Sequence, residues 1–162
     1  MGTVANILYG SCAVAVGGVD VGYTEGGVQL RKTREIIDVE ADQARGVVAK
    51  HVALERMFVS TTLLEATLTN IIEVMSEPAT NTAGSGDLEY GSPSPVCNEA
   101  LLTLTGVAPN SGTRTYTFYR AVSSEDTEIP IGSRTAVQAI PITWEMLKDA
   151  AHGEKFGYHE DS

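Results

Sequence analysis

The sequence predicts a mainly β fold, a β-sandwich or barrel with one long β-hairpin over about 36–60 and one flanking α-helix over about 62–75. Three observations predict it. Sixteen glycines are spread through the chain, which favours a turn-rich β architecture over a helical bundle. Apolar and acidic residues alternate with a period of two from Ile36 to Asp42. A single later stretch combines a capping box with apolar residues at helical spacing.

At 162 residues the chain is expected to be one domain, long enough for one hydrophobic core. Apolar residues make up 43% and charged residues 20%, a balance that belongs to a globular chain and not to a disordered one. No basic n-region with an apolar run marks a leader peptide, and no run reaches membrane-spanning length.

Residues 4–16 are mostly apolar and rich in β-branched side chains, so they read as a strand bent at Gly10 and stopped by Gly17-Gly18. Residues 21–30 read as loop, turn and strand. Their glycines match neither G-x-G-x-x-G nor G-x-x-x-x-G-K-[ST], and no helix follows to receive a phosphate, so they are turn formers. Arg31, Lys32 and Arg34 form the one basic cluster. It reads as a solvated or subunit-facing patch, since no aromatic residue is interleaved to stack on bases.

In the hairpin, Ile36, Asp38, Glu40 and Asp42 share one face, and Ile37, Val39 and Ala41 share the other. One face is expected to be core and the other a row of carboxylates. Gln43, Ala44, Arg45 and Gly46 lack an apolar anchor and form the projecting tip. Residues 47–60 alternate less cleanly, with Lys50 and Arg56 on the face of Val52, Leu54 and Phe58, which predicts a bulge or a strand buried on different sides along its length.

The helix is expected to open on a capping box of Thr62 and Glu65 and to bury a stripe of Leu64, Leu68, Ile71, Ile72 and Met75. Glu77-Pro78 stops it. A long loop is expected over 76–95. Strands follow at 99–105 and 113–122 around a turn at 109–112, with Tyr116 and Phe118 packing on the core side. After an acidic loop, a strand is expected at 135–142 with Pro141 at an edge or end. Thr143 is expected to cap a short helix ending at His152 and Gly153. A polar, mobile tail is expected over 154–162.

The net charge of −10 is unevenly placed. Residues 1–60 hold seven acids against six bases, while residues 61–162 hold fourteen acids against five bases. Such a chain lacks the basic footprint needed to grip nucleic acid, and its surplus of acids serves solubility or a surface that phosphates slide past. The two cysteines, Cys12 and Cys97, show no C-x-x-C pattern and are expected to be reduced thiols.

No catalytic constellation stands out, so no enzyme and no cofactor is expected. No serine sits in G-x-S-x-G. His152, His159, Glu160 and Asp161 offer metal-ligand chemistry only within the expected mobile tail, where a surface accident is the simpler reading. Asp38, Glu40 and Asp42, two residues apart on an exposed face, repel one another and do not make a general acid–base pair.

The order of these elements resembles the tail-tube (major tail) proteins of long-tailed bacteriophages, which are related in fold to the tube protein of type VI secretion. The resemblance runs through Ile7-Leu8-Tyr9-Gly10, the Gly17-Gly18 turn, and Gly22-Tyr23-Thr24-Glu25-Gly26-Gly27-Val28-Gln29-Leu30, which is like the family's G-x-T-x-G-G-V-x-L turn and strand. It continues through Asp38-Val39-Glu40-Ala41-Asp42-Gln43 and Leu64-Glu65-Ala66-Thr67-Leu68-Thr69-Asn70-Ile71. It covers 4–75 well and the later strands by order alone.

The resemblance implies a structural subunit that assembles with itself into stacked hexameric rings around a lumen conducting DNA during genome ejection. Asp38, Glu40 and Asp42 would line that lumen, and Gln43, Ala44, Arg45 and Gly46 would reach adjacent subunits. Tape-measure, tail-terminator and baseplate proteins would be the partners, without specific DNA binding and without a membrane. The particle would be a virion tail assembled in the host cytoplasm. A tube subunit of a contractile secretion or bacteriocin-like particle carrying no genome is the alternative. A small β-barrel ligand-binding module or hydrolase is the third reading.

Overall fold

Ala13–Val16 (β1) and Val19–Asp20 (β2) form a tight hairpin turned by Gly17 and Gly18 at φ 59 and 86, a left-handed backbone that glycine adopts without strain. Thr24–Glu40 (β3) and Val47–Leu63 (β4) are 17 residues each and pair along their length. Leu68–Val74 (α1) follows. Thr82–Ala83 (β5) and Asp87–Leu88 (β6) make a small separate sheet. Ala100–Val107 (β7), Thr113–Ser123 (β8), Ile140–Met146 (β9) and Gly157–Asp161 (β10) complete the chain. The computed structural model describes residues 10–40, 46–65, 67–76, 82–83, 87–88, 90–91, 97–109, 112–124, 126–132 and 138–162.

The main sheet is antiparallel in every pairing, in the order β2-β1-β7-β8-β9-β4-β3, with β10 added on β8. It is open, because its end strands β2 and β3 do not pair. Alternate residues of β1, β4, β7, β8 and β9 point to one core, among them Val14, Val59, Leu63, Leu102, Phe118, Ile142 and Trp144. Ile71 and Val74 of α1 close it from the flank. The fold is mainly β, with the single helix lying against a sheet wrapped over its core as a sandwich.

The helix departs from its expected limits. Thr62 lies in β4, opposite Glu25 on one side and Pro141 on the other. The capping residue is Thr67, whose Oγ1 accepts from the Asn70 backbone N–H at 3.2 Å. Two ladders and the buried alternation of Val59, Thr61 and Leu63 outweigh the Thr62–Glu65 capping box. Glu65 lies just beyond β4, its side chain against Gly22. The buried face of α1 is Asn70, Ile71 and Val74, while Leu68 is exposed and Leu64 precedes the helix. Asn70 donates from Nδ2 to Val21 O at 3.0 Å and Glu65 O at 3.3 Å, so its buried amide ties α1 to the loop after β2.

Three further expectations change. Thr143 is a strand residue opposite Ser60, because Ile140, Ile142, Trp144 and Met146 bury on alternation. What remains of the expected helix is one 3-10 turn, Ala150–His152, capped by Asp149 and ended by Gly153 at φ 69. The tail is ordered: β10 pairs with β8, Phe156 is buried, and Arg114 grips Asp161 through two hydrogen bonds. Finally, the loop expected over 76–95 contains β5 and β6. The expected stop at Glu77-Pro78 and the start of the strand at 135–142 lie outside the described residues.

Candidate assembly surface

The hairpin has two halves. Its base is held in the sheet, because β4 pairs with β9 from Met57↔Met146 to Leu63↔Ile140. Beyond Met57, β9 ends and the two strands run on alone. On β3 the free part begins at Lys32, which lies opposite Met57. Nine residues of β3, 32–40, extend about 30 Å at the usual rise per residue. Among the described residues, this arm has no other strand on either edge and no core on either face.

Its exposure overturns the expected division into a core face and an acidic face. Ile36, Ile37, Val39, Val47, Val48, Val52 and Leu54 are all exposed. The predicted bulge is present. Glu35 lies opposite Leu54 and Ile36 opposite Val52, which leaves Ala53 as the extra residue on β4. A second slip, between Val39↔Ala49 and Glu40↔Val47, leaves Val48 extra. These slips explain why 47–60 do not alternate cleanly when counted from the sequence.

Charges along the arm are polarised. Near its base, Lys32 Nζ and Arg34 Nε both contact Glu55 Oε1 at 2.7 Å. Hydrogen bonds from these two cations push the Glu55 carboxyl from an ordinary 4.5 down to about 2. One carboxylate shared by two cations leaves a positive surplus. Arg31 stacks its guanidinium over Phe58, 4.8 Å from the ring centre, and Arg56 lies 3.9 Å from Glu145. Toward the tip the sign reverses: Asp38 pairs with Lys50 at 2.5 Å directly across the ribbon. Glu35 and Glu40 are exposed with no ion-pair partner among the described residues.

Of the residues expected to face a lumen, Asp38 and Glu40 therefore lie on this arm, on one side of β3 by alternation. Asp42 lies outside the described residues, as do Gln43, Ala44 and Arg45 of the expected tip. Gly46 is described, at φ 116, where β4 is about to begin. Lys50 emerges as a partner of Asp38, so the acidic row is partly neutralised within the ribbon. Spacing alone misses that pairing, because it depends on the position of the extra residue Val48.

Other chemistry is sparse. Among the described residues no three His, Cys, Asp or Glu side chains come together to hold a metal. His152 Nδ1 meets Asp149 Oδ2 at 2.5 Å and stacks on Tyr119 at 3.8 Å, a contact that holds the Asp149 carboxyl below its usual range. His159 packs on Tyr116, and Asp161 is taken by Arg114. Neither cysteine is in a disulfide, and burial pushes the Cys12 thiol up. Where β9 ends, a groove of about 440 Å³ opens between the arm's base and β10, lined by Leu30, Met57, Phe118, Phe156 and Tyr158 among others. No helix among the described residues is long and apolar enough to cross a membrane. Comparison with family models and with curated proteins finds no match for the chain.

Proposed function

We propose that this chain is a structural subunit of a tail tube, polymerising as stacked hexameric rings around a lumen through which DNA leaves the particle. One observation carries the reading: among the described residues the arm of 32–40 and 47–56 is an unsupported two-stranded ribbon with apolar residues on both faces and open edges on both sides. An isolated two-stranded ribbon is marginal in water, and long open edges invite pairing with another chain. A second copy supplies what the arm lacks, and a contact between different patches of identical copies closes into a ring by rotation. Asp38 and Glu40, with Asp42 beyond them, then face the bore, where a negative wall keeps phosphates from sticking.

Negative-stain microscopy of concentrated protein tests the proposal. Rings or stacked tubes are expected. A compact, strictly monomeric particle under all conditions would overturn it. Within assembled particles, Asp38→Lys with Glu40→Lys should leave rings intact and slow DNA passage, and unchanged ejection would remove the lumen assignment.

A further inference from the structure

Beyond ring assembly, the outer edge of the arm carries a pattern that is complementary to itself. Along one side of β3, alternation places Lys32, Arg34, Ile36, Asp38 and Glu40 in that order. Two cations, one apolar residue and two carboxylates follow one another with Ile36 at the centre. β3 ends the sheet, so its outer edge has no strand partner among the described residues.

We infer that this edge pairs antiparallel with the same edge of a second copy, about a two-fold axis at Ile36. In that register Lys32 meets the other copy's Glu40, Arg34 meets its Asp38, and Ile36 meets Ile36. The two ribbons then form one four-stranded sheet. Its central row reads Val52, Ile36, Ile36, Val52, using two side chains that are 52% and 56% exposed in the single chain. The rows beside it read Glu55, Arg34, Asp38, Lys50, since Arg34 already lies opposite Glu55 and Asp38 opposite Lys50. Signs alternate across all four strands. The positive surplus around Glu55 meets the acidic half of the other arm, and Glu40 meets the cation of Lys32. Opposite charges directly across a sheet are favourable and like charges unfavourable, and a shift of register by two residues in either direction sets Ile36 against Arg34 or Asp38 of the other copy, breaks the apolar centre and is disfavoured.

This inference stands apart from the tube reading, because a two-fold contact closes on itself whereas a ring needs two different patches. Where both hold, the dimer is a resting form that occupies the arm's edge and must open before rings grow.

The test uses two variants of the full chain, Lys32→Glu/Arg34→Glu and Asp38→Lys/Glu40→Lys, followed by sedimentation. The wild type is expected to show a concentration-dependent dimer that weakens with salt. Each variant alone sets like charges across the axis and should raise the dimer dissociation constant roughly a hundredfold. Mixed in equal amounts they should recover a dimer, since every glutamate or aspartate of one then meets a cation of the other. A strictly monomeric wild type, a variant that dimerises as well as wild type, or folded variants that stay apart when mixed would each overturn the inference. Should either variant fail to fold, Ile36→Cys and Val52→Cys in a Cys12→Ser/Cys97→Ser background keep the question open to decision. Oxidation should link the chains through position 36 and not through 52, whose two copies are separated by three strand spacings, about 14 Å. Equal linkage at both positions, or none at 36, would overturn it.

Discussion

The two halves of the long hairpin obey different rules although one pair of strands makes both. At the base, Val59 and Leu63 are buried, β9 covers one edge, and a polar residue at Thr61 is tolerated because its hydroxyl donates to Gly27 O at 3.1 Å. In the arm none of the described residues is buried, and its cohesion among them comes from the β3–β4 ladder and the cross-strand pairs of Lys32 and Arg34 with Glu55 and of Asp38 with Lys50. The base is stabilised by apolar burial and the arm by charge and ladder alone. Exposed ion pairs contribute little, so the arm is expected to be held by what it meets in assembly and not by what it touches in the single chain.

The contrast can be broken hardest with a matched pair of truncations. Trp144 is fully buried in β9 beside the base, and Trp144→Ala should cost about 4 kcal/mol of unfolding free energy. Val52→Ala in the arm should change the same quantity by less than about 0.5 kcal/mol. Urea unfolding followed by tryptophan fluorescence for the arm variant, and by circular dichroism for both, measures the difference. Comparable losses at the two sites would mean that the arm is packed in solution.

A smaller effect separates the cap from the strand. Thr67→Ala removes the acceptor for the Asn70 N–H and should cost about 1 kcal/mol. Glu65→Ala, which would remove the reciprocal bond of a capping box centred on Thr62, should leave helix stability unchanged. Hydrogen exchange at 68–74 distinguishes the two, with faster exchange expected in the first variant only.

The smallest effect is a titration. Glu55 is held at about 2 against an ordinary 4.5, so its contribution to the closed ribbon is complete above about pH 4.5 and is lost as pH falls toward 2. Stability lent by this carboxylate therefore falls with acid. Following the Glu55 carboxyl by NMR should give a midpoint near 2, rising toward 4.5 in Lys32→Ala/Arg34→Ala. A midpoint near 4.5 in the unmodified chain would mean that the arm's base is not clamped.

Period-two patterning made the strands legible, because it depends only on which residues bury. β7 and β8 fall near their expected ranges for that reason, and Phe118 and Tyr116 both pack with the core. The helix misled because a capping box is a local preference, whereas Thr62 sits between two strands that are distant in the sequence. Likewise Thr143 looked like a cap until Trp144 and Met146 found a core to fill. The tail looked polar because its one anchor, Phe156, stands alone among charged neighbours. Of the candidate surface, the hairpin and its acids could be read from spacing. The Asp38–Lys50 and Glu55 pairings could not, since each requires the position of a bulge.

That bulge also sets which changes of length the chain can absorb. Ala53 has no opposite number on β3, while its neighbours Leu54 and Val52 face consecutive residues, Glu35 and Ile36. A lineage that lost Ala53 would keep every cross-strand partner on both sides of the gap. The arm therefore has built-in sites of length tolerance at 53 and, by the same count, at 48, and comparison of relatives should find one-residue gaps at these two positions before elsewhere in β4.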